Sequence, residues 1–111
     1  MREAIAESDW KLSRKLHPIA LDRFCHRVLE EIASIGSDTS KTSHERYGAI
    51  YRLIKRRDRE IADSFDGMSR SQALIRILAL RRLGLFTDDE FGQFSEEMRG
   101  EVERIFAIAS R

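Results

Sequence analysis

The stretch that decides the fold is residues 73–94, which read ALIRILALRRLGLFTDDEFGQF. On a helix, the apolar side chains of its first part point in nearly all directions around the axis. A helix that is apolar all round is normally buried. The sequence therefore predicts a helix over about residues 69–83, predicted helix three, at the centre of the fold or in a dimer interface. Ser69 and Gln72 have the spacing of a capping box at its start.

The middle of this stretch ends one helix and begins another. Gly84 is a natural C-terminal stop. Thr87 and Glu90 have the spacing of a capping box, in which each side chain binds a backbone amide of the other residue. Phe86 and Phe91 stand at the two positions of a hydrophobic staple. Because the connection is short, predicted helices three and four should form an antiparallel hairpin at the C-terminal end.

Predicted helix four covers about residues 88–109 and contains two glycines, Gly92 and Gly100. A glycine inside a helix costs about 1 kcal/mol relative to alanine. Either the two glycines permit close approach of another helix, or the helix simply tolerates them.

Two further helices precede the stretch. Predicted helix two, about residues 43–65, begins at a capping box formed by Thr42 and Glu45. One of its faces is apolar and carries Tyr47, Ile50, Tyr51, Ile54, Ile61 and Phe65. Predicted helix one, about residues 9–35, has an apolar face at 4-3-4-3 spacing that carries Leu21, Cys25, Val28, Ile32 and Ile35.

Pro18 leaves two alternatives for predicted helix one. A short helix over residues 10–16 can precede a main helix that starts at Pro18, or a single helix can kink there. We favour the first, because proline suits the first position of a helix.

The fold class predicted from these elements is all-α. The chain should form a compact antiparallel bundle of four or five helices with a C-terminal helical hairpin. Its 111 residues suit a single domain over 1–111, with residues 1–9 flexible and residues 36–42 as the linker between helices one and two. A folded chain of this size should expose about 6,300 Å² of surface.

Composition excludes several classes of protein. The 41% hydrophobic and 35% charged residues are unlike those of a disordered tail or a membrane protein. The net charge of +1 argues against a strongly basic nucleic-acid coat. No apolar run has the length of a signal peptide or a spanning helix, so we expect a cytoplasmic protein without membrane contact. The lone Cys25 excludes an internal disulfide framework.

No pattern in the sequence indicates catalysis. The three histidines, His17, His26 and His44, have no metal-ligand spacing, and no nucleophile or phosphate-loop motif is present. We therefore expect no enzyme, no cofactor and no metal. An enzyme whose residues converge from several helices stays an alternative, which a cleft holding perturbed carboxylates or His26 would support.

A surplus of apolar residues favours protein–protein interaction. Four helices with full apolar faces carry more than one monomer needs for its core, and large exposed patches usually mark interfaces. The sequence therefore predicts contact with another protein or with a second copy as a homodimer. The candidate interface residues are Trp10, Tyr47 and Tyr51. Trp10 has a second interpretation, as a clamp on the chain's own bundle.

Predicted helix two has two charged features, each of which either binds a partner or is exposed to solvent. Four cations lie along one face at i, i+3, i+4 and i+7 and are candidate phosphate contacts: Arg52, Lys55, Arg56 and Arg59. They indicate weak, sequence-independent nucleic-acid binding as the alternative function, or a solvated face. Asp58 falls inside the apolar arc, so it is either exposed to solvent or paired with a cation in a buried network. The possible partners are Arg57, Arg76, Arg81 and Arg82, and Arg76 is the candidate.

One segment resembles a known type of structure. Residues 78–98, LALRRLGLFTDDEFGQFSEEM, resemble the short helical hairpins found at the C-termini of bacterial proteins. Those hairpins have a similar leucine-rich helix, a Gly-hydrophobic-Thr turn and an acidic-aromatic start. The resemblance covers about a fifth of the chain and implies a bacterial origin and an interaction role.

Overall fold

The computed structural model describes residues 5–67 and 69–110. In these two ranges the chain forms helices and no strand, which confirms the predicted all-α class. The elements are α1 (Glu7–Gly36), α2 (Ser43–Phe65), a short 3-10 turn (Arg70–Gln72), α3 (Ala73–Arg82), α4 (Asp88–Gly92) and α5 (Glu96–Ala109). Two of the three predicted capping boxes are present, at Thr42 with Glu45 and at Thr87 with Glu90. The third is wrong, because the Ser69 side chain makes no capping hydrogen bond.

Helix α1 runs unbroken through Pro18, so the favoured alternative of a new helix at that residue is wrong. Pro18 points outward and is exposed, while Leu16, Ala20 and Phe24 around it are buried. Packing of this face offsets the ~3 kcal/mol that an interior proline costs a helix. The helix already includes residues 7–9 of the segment predicted to be flexible, and residues 1–4 lie outside the described part of the chain.

The predicted fourth helix is two helices. Helix α4 ends at Gly92, and Ser95 caps α5 by accepting a hydrogen bond from the Met98 amide at 3.1 Å. The apolar spacing continues through the break, which is why the sequence pattern indicates one helix. A Cβ atom added at Gly92 or at Gly100 would meet nothing within 4 Å. The two glycines therefore serve no close helix approach.

The core lies at one end of the molecule, which we call the head. It combines the first half of α1, the end of α2 and the helices α3 to α5. The buried members of this core are Leu16, Ala20, Phe24, Phe65, Ile77, Leu80, Leu85, Phe86, Phe91, Phe94, Met98 and Val102. They come from both ends of the chain, so the head closes only when distant segments meet.

Residues 25–61 extend from the head as a two-helix arm. No buried member of the head core comes from this range. The molecule consequently measures 54 × 29 × 27 Å, and its radius of gyration is 17.1 Å, against about 13 Å for a compact domain of this length. Its accessible surface is 7664 Å², which exceeds by roughly a fifth the ~6,300 Å² expected from its size.

Candidate interaction surface on the helical arm

Polar contacts and one leucine fix how the two helices of the arm pair. The Arg57 guanidinium donates to both carboxylate oxygens of Glu31, at 2.8 and 3.2 Å, and to Glu60 at 2.6 Å. At the tip, Arg46 donates to the carbonyl of Gly36 at 2.6 Å. The hydrogen bonds from Arg57 hold the pKa of Glu31 below its usual range. These contacts set the rotation of α2 about its own axis.

Leu53 is the residue that this rotation buries, and the sequence pattern did not identify it. Its side chain is 2% exposed, and it lies on the same side of α2 as Arg46 and Arg57. The predicted apolar face is therefore turned partly away from α1. The sequence does contain a signal for this rotation. Arg46 and Arg57, at positions i and i+11, flank Leu53 and donate hydrogen bonds to α1.

The apolar face of α2 forms a stripe that is half inside and half outside the core. We define the stripe as the residues at 4-3-4-3-4 spacing, Tyr47, Tyr51, Ile54, Asp58, Ile61 and Phe65. Phe65 is buried in the head and Ile61 packs against its core. Toward the tip, the side chains of Tyr47, Tyr51 and Ile54 are 72%, 58% and 39% exposed. The apolar spacing of the buried residues thus continues along the exposed part of α2.

A groove runs beside the stripe between the two helices. We call it the arm groove. It has a volume of about 220 Å³ and is lined by Cys25, Val28, Leu29, Ile54, Arg57, Asp58 and Ile61. Leu29 on its α1 side is 63% exposed. Stripe and groove together form an apolar surface rimmed by charge, the composition that marks interaction sites.

The four candidate phosphate contacts lie together on the outer side of α2. Arg52, Lys55, Arg56 and Arg59 are all exposed, and we call them the basic strip. None of them forms an ion pair with another residue in ranges 5–67 and 69–110. The Lys55 ammonium lies 5.5 Å from the centroid of the Tyr51 ring. An exposed aromatic ring therefore borders the strip.

Trp10 does not join Tyr47 and Tyr51 on this surface. It is half-buried, and the Arg14 guanidinium lies 5.7 Å from the centroid of its ring. Trp10 is on α1 about 28 Å along the axis from Leu29. The three candidate interface residues are thus divided between the head and the arm.

The predicted buried pair of Asp58 and Arg76 is wrong. Asp58 is exposed, because the rotation of α2 turns the stripe toward solvent. Arg76 instead donates to the backbone carbonyl of Asp63. Asp58 is therefore an exposed carboxylate inside an otherwise apolar stripe.

A second apolar groove lies in the head between α3 and α5. Its volume is about 660 Å³, and Ile75, Leu78, Ile105 and Phe106 are among its lining residues. Ile75 is 63% exposed, like Leu29. Predicted helix three is thus buried on one side, at Ala73, Ile77 and Leu80, and exposed on another.

The described ranges contain no group of three or more histidine, cysteine or acidic residues placed to hold a metal ion. His17 contacts the carbonyl of Phe65 through Nε2 at 2.9 Å, and the exposed His26 lies 3.4 Å from Glu30. Among the helices described, none combines the length and the apolar character needed to cross a membrane.

Comparisons with known proteins identify no relative. No protein-family model, no curated protein and no solved structure matches this chain. The resemblance of residues 78–98 to bacterial C-terminal hairpins therefore stays a resemblance.

Proposed function

We propose that this protein acts through protein–protein contact and that it forms a homodimer through the apolar side of the arm. The observation that carries the proposal is the stripe on α2. At one end of the stripe, Phe65 and Ile61 pack in the head. At the other end, Tyr47, Tyr51 and Ile54 are exposed to solvent. In the homodimer, a second copy of the chain buries these exposed side chains.

The size of the exposed surface supports a stable interface. The chain exposes 7664 Å², and the excess over a compact monomer of its mass is of the same order as the ~800 Å² that each partner buries in a stable complex. Tyrosine is favoured at such sites, because its large ring loses little conformational freedom on binding. A cytoplasmic location and a bacterial source accompany this proposal as predictions.

The mass in solution tests the proposal. Sedimentation equilibrium from low to high micromolar concentration should give twice the monomer mass of 12.9 kDa. Leu29→Glu places a charge in the arm groove and should raise the dissociation constant roughly tenfold or more, because a buried unpaired charge opposes association.

Ile75→Glu is the matched control, since Ile75 has the same exposure as Leu29 but lies on the α3–α5 side. It should leave the mass unchanged. A monomer at high micromolar concentration would defeat the proposal. If Ile75→Glu dissociates the dimer and Leu29→Glu does not, the interface lies on the head, and the proposed arm interface is wrong.

The basic strip carries a second proposal, weak nucleic-acid binding that does not depend on sequence. Its four cations form no ion pair among the described residues, whereas Arg23, Arg57 and Arg70 elsewhere do. The exposed Tyr51 ring beside Lys55 adds a surface on which a base can stack.

A titration with a fluorescent single-stranded oligonucleotide at low and at moderate salt tests this second function. Binding should weaken with salt, with a slope of about −0.7 per phosphate contact. Arg52→Gln with Arg56→Gln should weaken binding and flatten the slope, while Lys11→Gln with Lys15→Gln, two exposed cations on α1, should change little. Absence of binding at low salt would exclude the function.

A further inference from the structure

The exposed part of the stripe is symmetric about its own midpoint. Tyr47 and Asp58 lie equally far from the point between residues 52 and 53, and so do Tyr51 and Ile54. When a helix with this spacing is turned end over end, its side chains fall on the same positions. This spacing is compatible with an isologous contact, in which residue i of one copy meets residue j of the other and j meets i.

We infer that two copies of α2 pack antiparallel about a two-fold axis that passes between residues 52 and 53, with Tyr47 of each copy against Asp58 of the other. The inference rests on the proposed homodimer and names its register. In this register Tyr51 of each copy also packs against Ile54 of the other. The four positions then form two symmetric pairs of contacts.

The chemistry of Tyr47 and Asp58 suits this pairing. Asp58 is an exposed carboxylate with no hydrogen bond or ion pair in the described ranges, and it interrupts an apolar stripe. A tyrosine brings an apolar ring and a hydroxyl that donates to a carboxylate. Within one chain the two residues are about 16 Å apart along the helix axis. They can meet only between copies.

In this register, Tyr47 of the second copy lies at the arm groove of the first. Asp58 lines the groove together with the apolar side chains of Leu29, Ile54 and Ile61, and Arg57 is also at its edge. Its 220 Å³ accommodate one aromatic side chain. The register follows from spacing and the groove from packing, so the two observations agree independently.

Three of the four cations of the basic strip lie away from this contact. Arg52, Arg56 and Arg59 lie more than a quarter turn around the helix from the line of the stripe. They stay at the surface of the dimer, where solvent and salt screen their repulsion. These three arginines therefore remain available for a ligand, whereas Lys55, 5.5 Å from the centroid of the Tyr51 ring, borders the contact.

A charge swap tests the register by sedimentation equilibrium, with circular dichroism to verify that each variant keeps its helices. Tyr47→Glu sets a carboxylate against Asp58 and should raise the dissociation constant of the dimer tenfold or more. Adding Asp58→Lys to the same chain should restore most of the affinity, because Glu and Lys then face each other between copies. Tyr47→Phe, which removes only the hydroxyl, should weaken the dimer severalfold.

Asp63→Lys is the matched control, because Asp63 is an exposed acid on the same helix but on another side. Combined with Tyr47→Glu, it makes the same change in net charge and should not rescue. If the wild type is a dimer and Asp58→Lys rescues no better than Asp63→Lys, the register is overturned and the homodimer stands. If the wild type is a monomer, both fall.

Discussion

Asp9, in the first turn of α1, binds the N-terminal cap of α5. Its carboxylate accepts hydrogen bonds from the Ser95 backbone amide at 2.8 Å and from the Ser95 hydroxyl at 2.6 Å. The same hydroxyl accepts from the Met98 amide at 3.1 Å. Asp9 is buried, and charge-assisted hydrogen bonds of this kind are the strong ones. Asp9 thus links the first turn of α1 to the start of α5.

Removal of this carboxylate should destabilise the head. Asp9→Ala leaves the Ser95 amide without its acceptor, so we expect the free energy of unfolding to fall by about 2–4 kcal/mol. Urea denaturation followed by circular dichroism measures it. Ser8→Ala, at an exposed neighbour, should change stability by less than about 0.5 kcal/mol. A double-mutant cycle with Ser95→Ala that shows no coupling would contradict the assigned contact.

The pairing of Arg23 with Glu90 should make stability depend on pH in the acid range. Arg23 donates to both carboxylate oxygens of Glu90, at 2.6 and 2.9 Å, and these bonds together with the Thr87 amide lower the pKa of Glu90 to about 2. A depressed pKa stabilises the fold above the ordinary value near 4.5, and this stabilisation is lost as the pH falls toward 2.

Glu90→Gln isolates this contribution, because glutamine keeps the capping box but carries no charge. At pH 7 the variant should be less stable than the wild type by about 2–3 kcal/mol. The difference should shrink between pH 4.5 and 2, where the wild-type carboxyl gains its proton. Urea unfolding of both proteins across this pH range measures it. A difference that stays constant with pH would rule out the assigned origin.

Two adjacent residues of α2 should separate folding from association. Leu53 is buried and Ile54 is partly exposed on the stripe. Leu53→Ala should lower the free energy of unfolding by about 2–4 kcal/mol through the cavity it leaves. Ile54→Ala should change the unfolding of the dilute monomer by less than about 1 kcal/mol but weaken the dimer. Denaturation at low concentration, with sedimentation at high concentration, distinguishes the two effects. The opposite order would mean that α2 is rotated as the sequence pattern predicted.

Two glycines should respond to alanine with opposite signs. Gly84, at the turn after α3, has φ +69°, a conformation that costs an L-residue roughly 1–2 kcal/mol. Gly100 lies inside α5, and a Cβ there meets nothing within 4 Å. Gly84→Ala should therefore destabilise the protein by about 1–2 kcal/mol, and Gly100→Ala should stabilise it by about 0.5–1 kcal/mol. Thermal unfolding of both variants provides the measurement. A loss of stability in Gly100→Ala would indicate an unrecognised contact of α5.

Features that depend on neighbouring residues were predictable from the sequence. The capping boxes at Thr42 and Thr87 and the all-α class follow from residues within one turn of each other. The break after Gly92 also had a local signal, since Ser95 followed by two glutamates is a typical helix start. The continuing apolar spacing from Phe91 to Met98 obscured it.

Features that depend on contacts between distant segments were not predictable. The rotation of α2 depends on Arg57 meeting Glu31, 26 residues earlier, and a hydrophobic pattern does not contain that pairing. For the same reason the sequence left Asp58 open between an exposed position and a buried network, and it did not single out Leu53. The exposure of Tyr47 and Tyr51 follows from the length of the arm beyond the core, which only packing determines.

The distribution of the head core over both ends of the chain affects how the protein folds as it is synthesised. The ribosome completes α1 and α2 before it adds residues 66–102, which supply most of the partners of Leu16, Ala20 and Phe24. At ~5–20 residues per second this interval lasts roughly 2 to 7 s. During that time the nascent hairpin presents an uncovered apolar face at its base, a feature that chaperones bind.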